Sequence, residues 1–143
     1  MIADTHCIMK QATTLELVEI LCNELRTNGI IYCHWKSNAS LDRSANGEND
    51  LDLLVGRSSM QQFAEILMRL GFKQAFDKAD RQLPGVLDYY GYDRTSGKFV
   101  HVHAHYQLVI GHDATKNYHL PIEVQYLESA LQGDLFMVPA PEF

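Results

Sequence analysis

Apolar residues recur along this chain with two periods, and the switches between them mark its elements. Over 13–28, Leu15, Val18, Cys22 and Leu25 form one stripe at helical spacing. Thr13, with Glu16 three residues on, predicts a capping box, and Gly29 predicts the stop. The signature returns over 59–70. There Phe63, Ile66, Leu67 and Leu70 supply the stripe, Ser58 and Gln61 the box, and Gly71 the stop. Two short apolar runs, 30–35 and 51–55, predict buried strands. A short helix is expected at 39–45, a strand at 72–76 and a polar loop at 78–85. Segments 86–92 and 98–109 flank Asp93-Arg94-Thr95-Ser96-Gly97 and predict a hairpin, with a last helix at 123–131. This order predicts an α+β or α/β fold, a mixed central β-sheet flanked by helices, as a single domain over 1–143. Pro139-Ala140-Pro141 near the end reads as a linker, so the domain is expected to stand at the front of a longer protein with a downstream domain.

Composition narrows the function classes. The formal net charge is -6 and no block of lysine or arginine occurs, which disfavours a long nucleic-acid footprint but not a nucleotide held through metal. Cys7, Cys22 and Cys33 have neither metal-type nor redox spacing, and their odd number predicts reduced thiols in a cytoplasmic protein. The first ten residues lack the apolar core of a signal peptide, and no run reaches the ~18 apolar residues of a membrane span.

The chemistry gathers in two strands. In Asn49-Asp50-Leu51-Asp52-Leu53-Leu54-Val55 the two aspartates are two apart. On a strand their carboxylates share one face, about 7 Å apart, and hard divalent cations seek oxygen ligands arranged in this way. In Val100-His101-Val102-His103-Ala104-His105-Tyr106 the three histidines share one face while Val100, Val102 and Ala104 face the core. Three ligands at that spacing span about 13 Å, too far to hold one ion together. Bland readings compete at each place: Asp50 also reads as part of the Asn49 turn, the histidines as a polar strand face, and Ser37 or Asn38 as a cap of the next helix. Tyr89-Tyr90-Gly91-Tyr92 is read first as packing and second as a base- or sugar-stacking patch.

Trp35-Lys36-Ser37-Asn38, followed by Gly47-Glu48-Asn49-Asp50-Leu51-Asp52-Leu53-Leu54-Val55, resembles the DNA polymerase β-like nucleotidyltransferase superfamily. More closely it is similar to a bacterial group of nucleotidyltransferase-like domains found near polysaccharide biosynthesis, sometimes ahead of a kinase-like domain. The resemblance covers roughly residues 13–125. It implies that Lys36, Ser37 and Asn38 position nucleotide phosphates and that Asp50 and Asp52 bind metal. The third acid of the superfamily falls at His103, a departure that makes this histidine a third ligand or a base. The implied cofactor is Mg²⁺ or Mn²⁺, and the implied partners are a nucleoside triphosphate and a small-molecule or sugar hydroxyl. The expected catalytic and metal residues are therefore Asp50, Asp52 and His103. Lys116, in the polar stretch 111–118, is expected to reach a phosphate. The departure at His103 keeps a second reading in play: a catalytically silent nucleotide- or metal-binding module serving the downstream domain.

Overall fold

The computed structural model describes residues 13–78, 83–111 and 118–143. Helix α1 (Glu16–Thr27) buries Val18, Leu21, Cys22 and Leu25 on the stripe that the spacing predicts. It stops where Gly29 takes a φ of +62°, which lets the Ile30 amide return to the Leu25 carbonyl at 3.0 Å. Its start differs from the Thr13 capping box. The helix begins after Leu15, whose side chain gives no cap, and the Leu17 amide donates to Asp93 Oδ1 at 3.0 Å. A carboxylate 76 positions away thus satisfies a first-turn amide.

Strand β1 (Tyr32–His34) leads through a 3₁₀ turn (Asn38–Ser40) into the short helix α2 (Leu41–Ala45). Strand β2 (Leu51–Val55) has the predicted bounds. Helix α3 (Met60–Arg69) buries Phe63, Ile66 and Leu67 and ends like α1, with Gly71 at φ +88° and the Phe72 amide on the Leu67 carbonyl. The expected Ser58–Gln61 box is replaced: Ser59 holds the cap position, and its hydroxyl accepts the Ile31 amide at 3.1 Å, tying α3 to the segment before β1. Strands β3 (Lys73–Ala75), β4 (Val86–Asp93) and β5 (Lys98–His105) complete a five-stranded sheet of order β1-β2-β5-β4-β3. β2 and β5 run parallel, while the other neighbours are antiparallel. This is the mixed α+β architecture expected.

The chain departs from expectation after β5. The predicted strand 98–109 breaks at Tyr106, and Val109–Ile110 (β6) pairs instead with Tyr118–His119 (β7). Helix α4 (Glu123–Glu128) ends early because Leu131–Gln132 (β8) pairs with Met137–Val138 (β9). Among the described residues no helix is long and apolar enough to cross a membrane.

The central sheet has two unlike faces. On one, Leu51, Leu53, Val55, Val100, Val102, Ala104 and Tyr89 join α1 and α3 in the main core. Each fully buried leucine or phenylalanine there contributes roughly 1.5–3 kcal/mol. On the other, Cys33, Leu54, Leu108 and Tyr126 form a small second cluster that Trp35 packs against. Beyond that cluster, toward β4, this face carries aspartates and histidines.

Candidate functional site

Alternation along β2 and β5 presents Asp52, His101, His103 and His105 on the face opposite the main core, while Leu51, Leu53, Val100, Val102 and Ala104 take the buried one. The parallel register sets Asp52 beside His103, and the hairpin register sets His103 beside Asp88 and His101 beside Tyr90. Side chains from three adjacent strands therefore meet. His103 Nδ1 lies 3.3 Å from Asp52 Oδ1, and its Nε2 lies 3.7 Å from Asp88 Oδ1. His101 is held between two carboxylates, with Nδ1 2.9 Å from Asp50 and Nε2 2.7 Å from Asp88. Tyr90 stacks on His101, with ring centroids 4.4 Å apart. Asp50, just before β2, and Asp52 within it point to one side as expected, but Asp50 engages His101 whereas Asp52 faces His103 and His105.

His105 sits where the polar row meets the second apolar cluster. Its side chain is 3% exposed and meets Trp35 edge-on at 5.0 Å. Nε2 is 3.5 Å from Asp52 Oδ1, an ion-pair distance, and among the described residues neither ring nitrogen has a hydrogen-bond partner of normal geometry. Burial pushes this imidazole down to about 4, so it is neutral at pH 7 and keeps a lone pair. For Asp52, burial acts to raise the carboxyl, but the His103 hydrogen bond, the His105 ring and the Lys36 ammonium outweigh it. They hold Asp52 well below the usual carboxylate range.

The corner after β1 meets the same carboxylate. Lys36 Nζ is 3.9 Å from Asp52 Oδ1 and 4.7 Å from the Trp35 ring centroid. Trp35 is fixed by packing, as its amide donates to the Asp52 carbonyl and its own carbonyl accepts the Tyr126 hydroxyl at 3.1 Å. Ser37, exposed, adopts a left-handed φ of 56°, a region sparsely used by residues other than glycine and often kept at functional corners. Asn38 Oδ1 is 3.0 Å from Nδ1 of the buried His34, so this amide is tied to the interior. Lys116 lies outside the described residues.

Two residues join the site that sequence reasoning left out of it. Asp88 brings a third carboxylate, and His105 completes the group whose ligand atoms, with those of Asp52 and His103, all lie within 4.8 Å of one another. Asp88 had a signal: Asp93 and Lys98 pair across the hairpin, so counting five residues back on each side places Asp88 opposite His103. His105 had none beyond its parity, because its burial depends on Trp35 arriving from β1. Asp88 and His103 also border a cavity of about 610 Å³, walled by Gln74, Phe76, Asp77 and Pro84. Compared with known proteins, the chain matches no family model, no curated protein and no solved structure.

Proposed function

We propose that this chain is a metal-dependent nucleotidyltransferase-like domain, moving a nucleotidyl group from a nucleoside triphosphate to the hydroxyl of a sugar or another small molecule. The observation that carries the reading is the meeting of Asp52, Lys36 and His103 on one side of the sheet. Asp52 and His103, with Asp50 at the same end of β2, would hold a divalent cation, Mg²⁺ or Mn²⁺, whose chemistry there is to neutralise charge on the phosphates. The donor set fits Mn²⁺ better, because Mg²⁺ prefers oxygen and these histidines offer nitrogen. Lys36 supplies a point charge to the phosphates, with Ser37 and Asn38 forming the corner beside it. The acceptor oxygen attacks the α-phosphorus, the bond from phosphorus to the bridging oxygen breaks, and pyrophosphate leaves. The hydroxyl proton passes to Asp88, which borders the cavity where an acceptor has room. The net charge of -6 favours a small acceptor over nucleic acid.

The alternative is a catalytically silent nucleotide- or metal-binding regulatory module, favoured by histidine at position 103, where the resembled superfamily has its third acid. Calorimetric titration with ATP, CTP, GTP and UTP separates the two. One nucleotide is expected to bind at least about tenfold tighter with Mn²⁺ or Mg²⁺ than without, and to lose that gain in Asp52→Asn. It should also release pyrophosphate when an acceptor is supplied. Metal-dependent binding with no release across a panel of sugars assigns the silent module. Equal affinity with and without metal ends the transferase reading.

A further inference from the structure

We infer that Asp52, His103 and His105 form a binding site for a borderline transition ion, zinc foremost, with one coordination position open. This adds His105 to the ligand set and names the class of ion. It stands whether or not the domain transfers nucleotides.

The first support is spacing. Asp52 Oδ1 lies 3.3 Å from His103 Nδ1 and 3.5 Å from His105 Nε2, and the three ligand atoms lie within 4.8 Å of one another. Oxygen and nitrogen ligands about 2.0–2.1 Å from a tetrahedral zinc ion stand roughly 3.3–3.4 Å apart, so an ion fits among these atoms with small adjustments.

The second support is His105 itself. A ring this deeply buried, with neither nitrogen hydrogen-bonded among the described residues, leaves polar atoms unsatisfied at a cost that native structures rarely bear. Its Nε2 is the atom turned toward Asp52, where an ion would repay that cost.

The third is the arrangement around His103. With Nδ1 on the ion side, Nε2 faces Asp88 Oδ1 at 3.7 Å, and a carboxylate behind a ligating imidazole is the usual outer support of such sites. Two imidazoles and one carboxylate match the ligand preference of zinc and its neighbours rather than magnesium. His101 stays outside the set, since both its nitrogens already face carboxylates. The span objection to three histidines on one strand therefore does not apply: only two of them ligate, and the third ligand comes from the adjacent strand. Three protein ligands are the complement of a catalytic-type zinc site, which leaves one coordination position open.

The test uses the whole chain without a histidine tag, stripped with chelator and titrated with Co²⁺ as a spectroscopic probe. One equivalent should bind with the intense visible bands of tetrahedral cobalt, be displaced by Zn²⁺ and resist a large excess of Mg²⁺. His103→Ala and Asp52→Asn, both at partly exposed positions, should lose the bands. Asp88→Asn should bind about 10–100-fold more weakly with the bands retained. His101→Gln should bind as wild type does. His105→Gln should lose the bands while keeping the wild-type circular dichroism spectrum; if it unfolds, the Asp52 and His103 variants decide alone. Weak octahedral bands, Mg²⁺ competing on equal terms, or His101→Gln losing as much affinity as His103→Ala would overturn the inference. The two readings share Asp52 and His103, but cobalt binding is read without nucleotide and pyrophosphate release with it, so a failure of this ion site and a failure of the transferase reading are distinguishable.

Discussion

His34 shows how one buried side chain ties stability to pH. It is fully buried, with Nδ1 on Asn38, the ring 5.1 Å from Phe136 and Nε2 without a hydrogen-bond partner among the described residues. Burial lowers its pKa below 6.5, so as pH falls through 6.5 the unfolded chain takes up the proton before the folded one. Stability is therefore level above pH 6.5 and lost below it, by at most ~1.4 kcal/mol per pH unit for one proton. His105, pushed down to about 4, acts with the same sign between 6.5 and 4. Urea midpoints at pH 7.5 and 5.5 should differ less in His34→Gln than in wild type, and an identical difference would refute the assignment. The thiols make a second residue-scale case. Burial pushes Cys22 and Cys33 up to about 12, and both are at most 2% exposed. Iodoacetamide should leave both unlabelled in native protein at pH 8 and label both in urea, as read by mass spectrometry; rapid native labelling of either would show that its site opens. Cys7 lies outside the described residues.

At the scale of elements, two contacts that no local pattern encodes hold the hairpin to the helices. Asp93 closes β4, accepts the Ser96 amide through Oδ2 at 3.0 Å and accepts the Leu17 amide of α1 through Oδ1. Hydrogen bonding with Ser96 foremost keeps its carboxyl below the usual range. Asp93→Ala leaves two amides unsatisfied and should cost about 1–3 kcal/mol, measured as a lowered urea midpoint with unchanged slope. A cost near zero would mean water replaces the carboxylate. Within β4, Gly91 packs against the Phe72 ring, where an added Cβ would meet ring carbons at 2.7–2.8 Å. Gly91→Ala should therefore destabilise by about 1–3 kcal/mol through overpacking, although alanine ordinarily favours a folded chain over glycine. Phe72→Leu in the same background should recover part of the loss, and no recovery would place the strain elsewhere. Helix capping shows the limit of local reading in the same terms. Gly29 and Gly71 stop α1 and α3 as expected, because a positive φ is a property of one residue. The two capping boxes do not form: α1 starts after Leu15 with a first-turn amide held by the distant Asp93, and α3 starts after Ser59, whose hydroxyl accepts the Ile31 amide.

Over the whole molecule, order should follow the sheet. β2 and β5 are paired on both sides and bury one face under α1 and α3, whereas β6 with β7 and β8 with β9 are two-residue ribbons. Native-state hydrogen exchange should be slowest at Leu53, Leu54, Val102 and Ala104 and fast in the ribbons, and the reverse order would contradict this packing. The same central pair explains how much of the site was legible. Parity alone put Asp52, with Asp50 just before the strand, on one face of β2 and the three histidines on one face of β5, because side chains alternate strictly along a strand. The stripes of α1 and α3, their glycine stops and the bounds of β2 were equally readable, since each depends on residues within a turn or two of one another. That β2 lies parallel to β5, with Asp52 beside His103 and Lys36 closing on the same carboxylate, was decided by the tertiary structure. So were the burial of His105 against Trp35 and the recruitment of Asp88. Pairing between strands some fifty residues apart is settled by which arrangement pairs β2 and β5 on both sides and buries the main core at once, and no short-range pattern records that choice.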